Sequence, residues 1–352
     1  MLLSIDSRAY LLSKIKGNWK NKNSFYNKHF LKLLGGGSGP QEFIALLSDE
    51  LNKSKNIKTT YNFINSDIHL LNLGFYSPLW KYFQCKNYNE TIIRFDGVGI
   101  DNTKNINQTK INLEKFLEKG KYVIFQSEFC RNFFKNEFGY LPNHVVIHNG
   151  SKKLPNINKS NKIFLKEFKG ITEKEDYFVV AGRYTSRKRI KETILFFKKL
   201  NKYNLVILSD VPKNEIIKSR RIKYLGMQNP FIAKQIISNS KALIHMDCYD
   251  WCPNIIISAL VDGVPVICSN FGGSPEIVKE NGIIIQEFPK NLYANLDGIK
   301  YTMNSKFPEY LLEVALEKII SNSNERKYVT DYSIKKCANN YINYILQCQK
   351  SI

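Results

Sequence analysis

No run of about 18 uninterrupted apolar residues, the minimum for a helix that crosses a bilayer, occurs in this 352-residue chain. The opening stretch is broken by Asp6, Arg8, Lys14 and Lys16, which does not fit a secretory signal either. Cysteine is sparse and unpatterned: seven are scattered without a Cys-x-x-Cys pair. That excludes a disulfide framework and leaves a reducing cytoplasm as the expected setting. Cys248 and Cys252 stand close in sequence, but no second Cys/His pair answers them, so the four ligands of a structural zinc site are missing. Acidic residues are few as well, 31 against 52 Lys and Arg. The resulting net charge of +21 attracts phosphates, whether on nucleic acid, anionic lipid or a nucleotide. Because the lysines are spread over both halves, the charge reads as solvated surface. It is compatible with a peripheral contact with anionic membrane and gives no specific nucleic-acid face.

What is present is ample material for burial, with 43% apolar and 13% aromatic residues. Single cores seldom grow past roughly 250 residues, so two domains are expected. Residues 1–30 are polar and basic and read as an irregular lead-in. Order is expected from a strand at 30–34, followed by the loop Gly35-Gly36-Gly37-Ser38-Gly39-Pro40 and a helix carrying Phe43, Leu46, Leu47 and Leu51. Further strands are expected at 68–73, 91–95, 122–126 and 144–148, with helices at 112–117 and 129–138. A Lys- and Asn-rich stretch then interrupts the pattern. The alternation restarts with strands at 177–181, 205–209, 222–225, 242–246, 264–268 and 283–285 and helices at 189–200, 231–238 and 255–261. Such alternation implies parallel sheets covered on both faces. The expected organisation is an N-terminal Rossmann-like domain over 1–150, a linker over 151–175, a second Rossmann-like domain over 176–330 and a C-terminal helix over 331–352. The two α/β domains are expected to face each other across a cleft, with ligands outside the carboxyl ends of the strands.

Several short motifs stand at those strand ends. Gly182-Arg183-Tyr184-Thr185-Ser186-Arg187-Lys188 follows the first strand of the second half, where Arg183 and Lys188 supply the charge and forked donors a diphosphate needs, or form only a basic surface turn. Asp250-Trp251-Cys252-Pro253-Asn254 precedes a helix with Pro253 as its expected first residue. Asp250 there accepts from sugar hydroxyls, or merely caps the helix. Asn270-Phe271-Gly272-Gly273-Ser274-Pro275-Glu276 is a tight loop that admits close backbone approach to a ligand. In the first half, Arg94-Phe95-Asp96-Gly97 ends a strand and is either an acceptor-side constellation or an ion pair within a turn. His69 is either beside the reaction or simply packed.

In this order and spacing the second half resembles the donor domain of glycosyltransferase family 4, the retaining group with the GT-B fold. The matching pieces are Gly182-Arg183 with Lys188 five residues on, Leu225-Gly226, Pro253-Asn254, Ala259-Leu260 with Gly263 and Pro265-Val266, and Gly272-Gly273 with Glu276. The resemblance covers roughly residues 122–278, reaching back through Ser127 and Asn149-Gly150. It implies that Arg183 and Lys188 bind the donor diphosphate and that Gly36 and Gly37 belong to the family's N-terminal glycine loop. It also places His69 beside the reacting sugar. The family carries two glutamates separated by seven residues, the first on the donor sugar and the second on the ribose. Here those places fall on Asp250 and Ser258, so the second carboxylate is lost. No Asp-x-Asp triad is present, so fixed cations and helix ends are expected to stabilise the leaving group, without a metal or other cofactor. The resemblance implies a hexosyl or related transferase with a nucleotide-sugar donor, a glycan or lipid-linked acceptor, and retention. The competing readings are a sugar-nucleotide 2-epimerase, which five histidines serve poorly, and a degenerate GT-B binding protein.

Overall fold

Alternation of short β-branched runs with amphipathic helices produces two six-stranded sheets in which every pair of neighbouring strands is parallel. The structure is a computed structural model and describes residues 1–5, 39–60, 66–73, 91–98, 111, 114, 122–154, 176–321 and 326–350. The chain divides into one unit of Met1–Ser151 with Asp331–Ile352 and another of Lys152–Thr330.

The first unit contains β1 (Leu2–Ile5), α1 (Gly39–Leu51), β2 (Lys58–Thr60), β3 (Ile68–Leu73), β4 (Thr91–Phe95), β5 (Tyr122–Phe125), α2 (Glu128–Phe138) and β6 (Asn143–Val146). Its strand order is β2-β1-β3-β4-β5-β6. Every residue of β4 and β5 is buried, as strands covered on both faces must be. Helix α2 begins where the Ser127 hydroxyl accepts from the Cys130 N–H at 3.0 Å, and it ends at Gly139 in the left-handed region.

Two expectations are corrected here. Residues 1–30 were read as an irregular lead-in, yet β1 lies between β2 and β3 inside the sheet. Four residues with a serine among them are too few to show a period. The segment 331–352 was expected as a C-terminal helix outside the 1–150 domain, and the helix is there. Helix α9 (Ile334–Lys350) instead lays Ile334, Cys337, Ala338, Tyr341, Tyr344, Ile345 and Cys348 into the first unit's core, with Leu3, Phe43, Ile68, Ile92 and Ile124. That 3-4 spacing is one apolar helix face. The expected strand at 30–34, Gly36, Gly37, most of the 112–117 helix and positions 155–175 of the linker lie outside the described residues.

The second unit contains β7 (Tyr177–Ala181), a 3-10 turn (Ser186–Lys188), α3 (Ile190–Leu200), β8 (Asn204–Leu208), β9 (Ile222–Tyr224), α4 (Pro230–Ser238), β10 (Leu243–His245), α5 (Asn254–Val261), β11 (Val266–Ser269), α6 (Ser274–Val278), β12 (Gly282–Ile285), α7 (Leu296–Met303) and α8 (Glu309–Ser321). Its order, β12-β11-β10-β7-β8-β9, is the 3-2-1-4-5-6 order of a dinucleotide-binding sheet when counted from β7. Helix α3 buries Ile190, Ile194, Phe196 and Phe197 against β7 and β8 residues, each such side chain contributing about 1.5–3 kcal/mol. In a sheet of this order the connections leave in opposite directions after β7 and after β10, and the crevice between those two carboxyl ends is where ligands bind.

Candidate functional site at the carboxyl ends of β7 and β10

The loops that leave β7 and β10 carry Arg187 and Lys188, and Asp247 and Asp250, and the fold brings these four together. Strand β7 ends at Ala181, and Gly182 follows with φ of 140°. A Cβ at this position would also lie 2.9 Å from Lys188 Cδ, so the lysine stem lies directly over the glycine. Only glycine meets both demands. The 3-10 turn then delivers Arg187 and Lys188 toward the loop after β10. Lys188 Nζ donates to Asp247 Oδ2 at 2.7 Å and stands 3.7 Å from Asp250 Oδ2. Arg187 Nη1 donates to the Tyr249 carbonyl at 2.7 Å and to Asp250 Oδ2 at 3.3 Å, with Asp247 Oδ2 at 3.5 Å. Its guanidinium also stacks 5.0 Å from the centre of the Tyr249 ring.

The backbone fixes this pairing. Cys248 N donates to the Arg187 carbonyl at 2.8 Å, joining the two loops, while the Ser269 hydroxyl donates to the Asp247 carbonyl at 2.7 Å. Gly273 N donates to the Asp250 carbonyl at 2.7 Å. Gly272, at φ 92°, approaches so closely that a Cβ would sit 2.8 Å from Asp250 N. The Gly272-Gly273 loop therefore backs the Asp250 segment. Glu276 is half-buried in the first turn of α6, just beyond it.

Burial alone would raise the Asp250 carboxyl, but Arg187 and then Lys188 outweigh it and hold its pKa below the ordinary aspartate value. Arg187 is held above its already high ordinary value: burial works against its charge, but Asp250 and Asp247 outweigh it. His245, the last residue of β10, is buried beneath the pair with Nε2 3.6 Å from Asp247 Oδ2. Burial pushes its pKa down and keeps the ring neutral at neutral pH. His245, Asp247 and Asp250 bring one ligand atom each within 4.8 Å of one another, a grouping that suits a divalent cation by chemistry. In this structure the same carboxylate oxygens face Lys188 and Arg187.

Pro253 occupies the N-cap position of α5 rather than its first turn, and no side chain caps the helix. Asp250 is thus not a cap; its carboxylate goes to the two cations. Along α5, Asn254, Ile255 and Ser258 are half-exposed while Ile256, Ile257 and the stretch from Ala259 are buried, so Asn254 and Ser258 share the accessible face. Arg183 is exposed, beside Gly182, and makes no hydrogen bond or ion pair among the described residues. Gly226 follows β9 in the left-handed region with open space beside it.

The first-half residues come out differently. His69 sits at the amino end of β3, buried, with Nδ1 2.6 Å from the Ser4 hydroxyl and 3.1 Å from that of Ser66. Ligands of a parallel sheet gather at the opposite ends of its strands, so His69 is a packed histidine and its proposed place beside the reacting sugar is withdrawn. Arg94 and Asp96 were read as acceptor-side candidates. Arg94 is fully buried, ion-paired with Asp96, and donates to Tyr341 Oη at 3.0 Å, Asn149 Oδ1 at 2.8 Å and Gln126 Oε1 at 3.2 Å. With its donors committed inside the core it cannot greet an acceptor, and Asp96 is spent on the same pair. The sequence reading passed over Arg187 and Asp247. The signal was there: Arg187 stands in the basic run, and Asp247 leads an Asp-x-x-Asp spacing just after a strand.

Comparison with known proteins bears on the family and the fold. The family model described as glycosyl transferases group 1 matches residues 161–336. An uncharacterized glycosyltransferase of Methanocaldococcus jannaschii is 25% identical over 213 residues, 56% of this chain and 53% of the relative, so the match spans about half of that protein's length. Among solved structures, sucrose-phosphate synthase from Thermosynechococcus elongatus superposes with a TM-score of 0.60 at 14% identity, covering 89% of this chain and 78% of that one. Anabaena HepE, solved in complex with UDP, gives 0.56 at 13% identity over 99% and 97%. WaaG, a glycosyltransferase involved in lipopolysaccharide biosynthesis, gives 0.53 at 11% over 88% and 92%. The fold is therefore GT-B, two parallel α/β units in one chain.

Proposed function

Because the chain belongs to the glycosyl transferases group 1 family, we propose that it moves a sugar from a nucleoside-diphosphate donor to a glycan, lipid or small-molecule acceptor, with retention. The observation that carries this reading is the convergence of Lys188 and Arg187 with Asp250 between the carboxyl ends of β7 and β10. The complex of HepE with UDP makes a uridine donor the first to test. In this reading Lys188 and Arg183 bind the diphosphate oxygens, and the uncapped start of α5 adds its dipole. Asp250, kept ionised by Arg187, accepts from sugar hydroxyls. As the bond from the anomeric carbon to the diphosphate breaks, the fixed cations take up the charge that develops on the leaving oxygen. The acceptor oxygen bonds to the same face of that carbon, and its proton passes to the departing phosphate.

Lys188, Arg183 and the uncapped start of α5 supply positive charge to the diphosphate in this reading, so the proposal includes transfer without a divalent metal. Nucleoside diphosphate should be released only when donor and acceptor are both present, and release should persist in excess EDTA with little response to Mn²⁺. Complete loss in EDTA with recovery on adding metal would refute the metal-free mechanism. A thermal-shift screen of nucleotide sugars identifies the donor, since a ligand at 100 times its Kd stabilises by about 2.7 kcal/mol.

One observation favours a second reading, a nucleotide-binding protein without turnover. The Ser258 hydroxyl, on the accessible face of α5, makes no hydrogen bond among the described residues, and no carboxylate stands at this position for the ribose. Ser258→Glu is expected to tighten nucleoside-diphosphate binding by about tenfold, the worth of one charged hydrogen bond. Titration calorimetry reads it directly, and unchanged or weakened binding means that the ribose has another partner.

A further inference from the structure

We infer that Asp247 is a positioning residue that holds Lys188 back over Gly182 and competes with the donor diphosphate for its ammonium. This rests on the diphosphate-binding reading above and extends it to a residue that touches neither substrate. The observations are geometric. The Asp247 carboxylate is almost wholly buried, at 4% exposure, and Lys188 Nζ is its one hydrogen-bond donor among the described residues, at 2.7 Å. Arg187 Nη1 lies at 3.5 Å and His245 Nε2 at 3.6 Å from the same oxygen. The carboxylate is carried on a segment of backbone tied at two points. Its main chain is tied by Ser269 Oγ, and the next residue, Cys248, is tied to the Arg187 carbonyl. The lysine stem lies over Gly182, which leaves it the room to reach this carboxylate.

A diphosphate that arrives must share or take this ammonium. An incoming anion then gains one strong contact and weakens another, so the net affinity is lower than the cations alone would give. The arrangement sets a limit on how tightly the product nucleoside diphosphate is held. Neutralising Asp247 removes the competitor. Asp247→Asn keeps the shape and an acceptor oxygen, and it is expected to bind nucleoside diphosphate about tenfold more tightly. With KM lowered, turnover falls as product release slows. A residue that merely supported the fold would raise Kd when altered, not lower it.

The test has two arms on the full chain. In the first, surface lysines are reductively methylated and the rate at Lys188 is read by mass spectrometry. Lys188 is expected to be protected in the parent and labelled several-fold faster in Asp247→Asn. Equal labelling overturns the inference whatever the nucleotide does. In the second, UDP, GDP and ADP are titrated into the parent, Asp247→Asn and the Asp247→Asn/Lys188→Ala double variant. Tighter binding in the single variant that vanishes in the double variant supports the inference, and equal or weaker binding in the folded single variant overturns it. If the parent binds none of the three, the donor reading fails while the labelling arm still decides Asp247. Should the Asn variant not fold, as judged by circular dichroism, Asp247→Ser gives the same comparison in both arms, its small side chain leaving room for water beside the ammonium.

Discussion

Lys188→Ala is expected to weaken nucleoside-diphosphate binding by about 100-fold or more in titration calorimetry, with the far-ultraviolet circular dichroism unchanged. The magnitude follows from the position of the ammonium. It is 14% exposed, aimed between two aspartates, and poorly screened by salt. A contact to a diphosphate made there involves two charges with little water between them. One charged hydrogen bond is worth about 1.5–3 kcal/mol, and a cation that bridges two phosphates makes more than one. Arg183→Ala should cost less, about tenfold, because that guanidinium is exposed in the free protein and is screened and entropically freer. A second readout separates binding from collapse of the site. Without Lys188 the buried Asp247 loses its hydrogen-bonded cation and keeps the more distant Arg187 guanidinium, so the second unit should also melt at a lower temperature, and Asp247→Asn should restore much of that loss without restoring affinity. If Lys188→Ala binds nucleoside diphosphate as the parent does, the ammonium is not a donor ligand.

Arg94→Leu should destabilise the first unit by about 3–5 kcal/mol, the usual cost of leaving one member of a buried ion pair alone. The guanidinium is completely buried and joins β4, through Arg94 itself, to Asp96, to Gln126 after β5, to Asn149 after β6 and to Tyr341 on α9. It also lies 4.7 Å from the centre of the Phe43 ring on α1. Leucine fills much of the volume but leaves Asp96 buried without its cation and unlatches the helix. Calorimetric melting should show the first unit's transition lowered by roughly 6–20 °C, at the usual 2–4 °C per kcal/mol for units of this size. Tyr341→Phe removes one hydrogen bond from the charged guanidinium and should cost less, about 1.5–3 kcal/mol. A shift under 2 °C for Arg94→Leu would show that Arg94 holds little.

The second unit was legible in the sequence because its central strands are buried on both faces and its helices are not. Runs such as Tyr177–Ala181 stand out against the stripe of Ile190, Ile194 and Phe197, and every strand expected there falls within two residues of its observed bounds. The first unit was less legible where elements are short. β1 has four residues and β2 three, and β2 is a partly exposed edge with the polar sequence Lys-Thr-Thr. The site residues divide in the same way. Lys188 and Asp250 come from adjacent, ordered loops whose glycines fix the backbone. Arg94 and His69 stayed open between a role at the site and a packed one because a strand end in sequence does not reveal whether a side chain turns into the core; their partners Tyr341 and Ser4, distant along the chain, favour the packed alternative. Asp247 needed the third dimension as well: nothing in the linear order pairs it with Lys188, which lies 59 positions earlier.

Helix α9 also fixes an order of events during synthesis. Arg94 and its hydrogen-bond partner Tyr341 are 247 positions apart. At about 5–20 residues per second, roughly 10–50 s separate their emergence from the ribosome. Through that interval the face of the first sheet that carries Leu3, Ile68, Ile92 and Ile124 lacks the cover of α9, with α1 alone beside it among the described helices of this core. The second unit, Lys152–Thr330, is contiguous and closes its own core in the meantime. The half made first is thus finished last, and the nascent chain carries an open apolar face that holding chaperones are suited to cover.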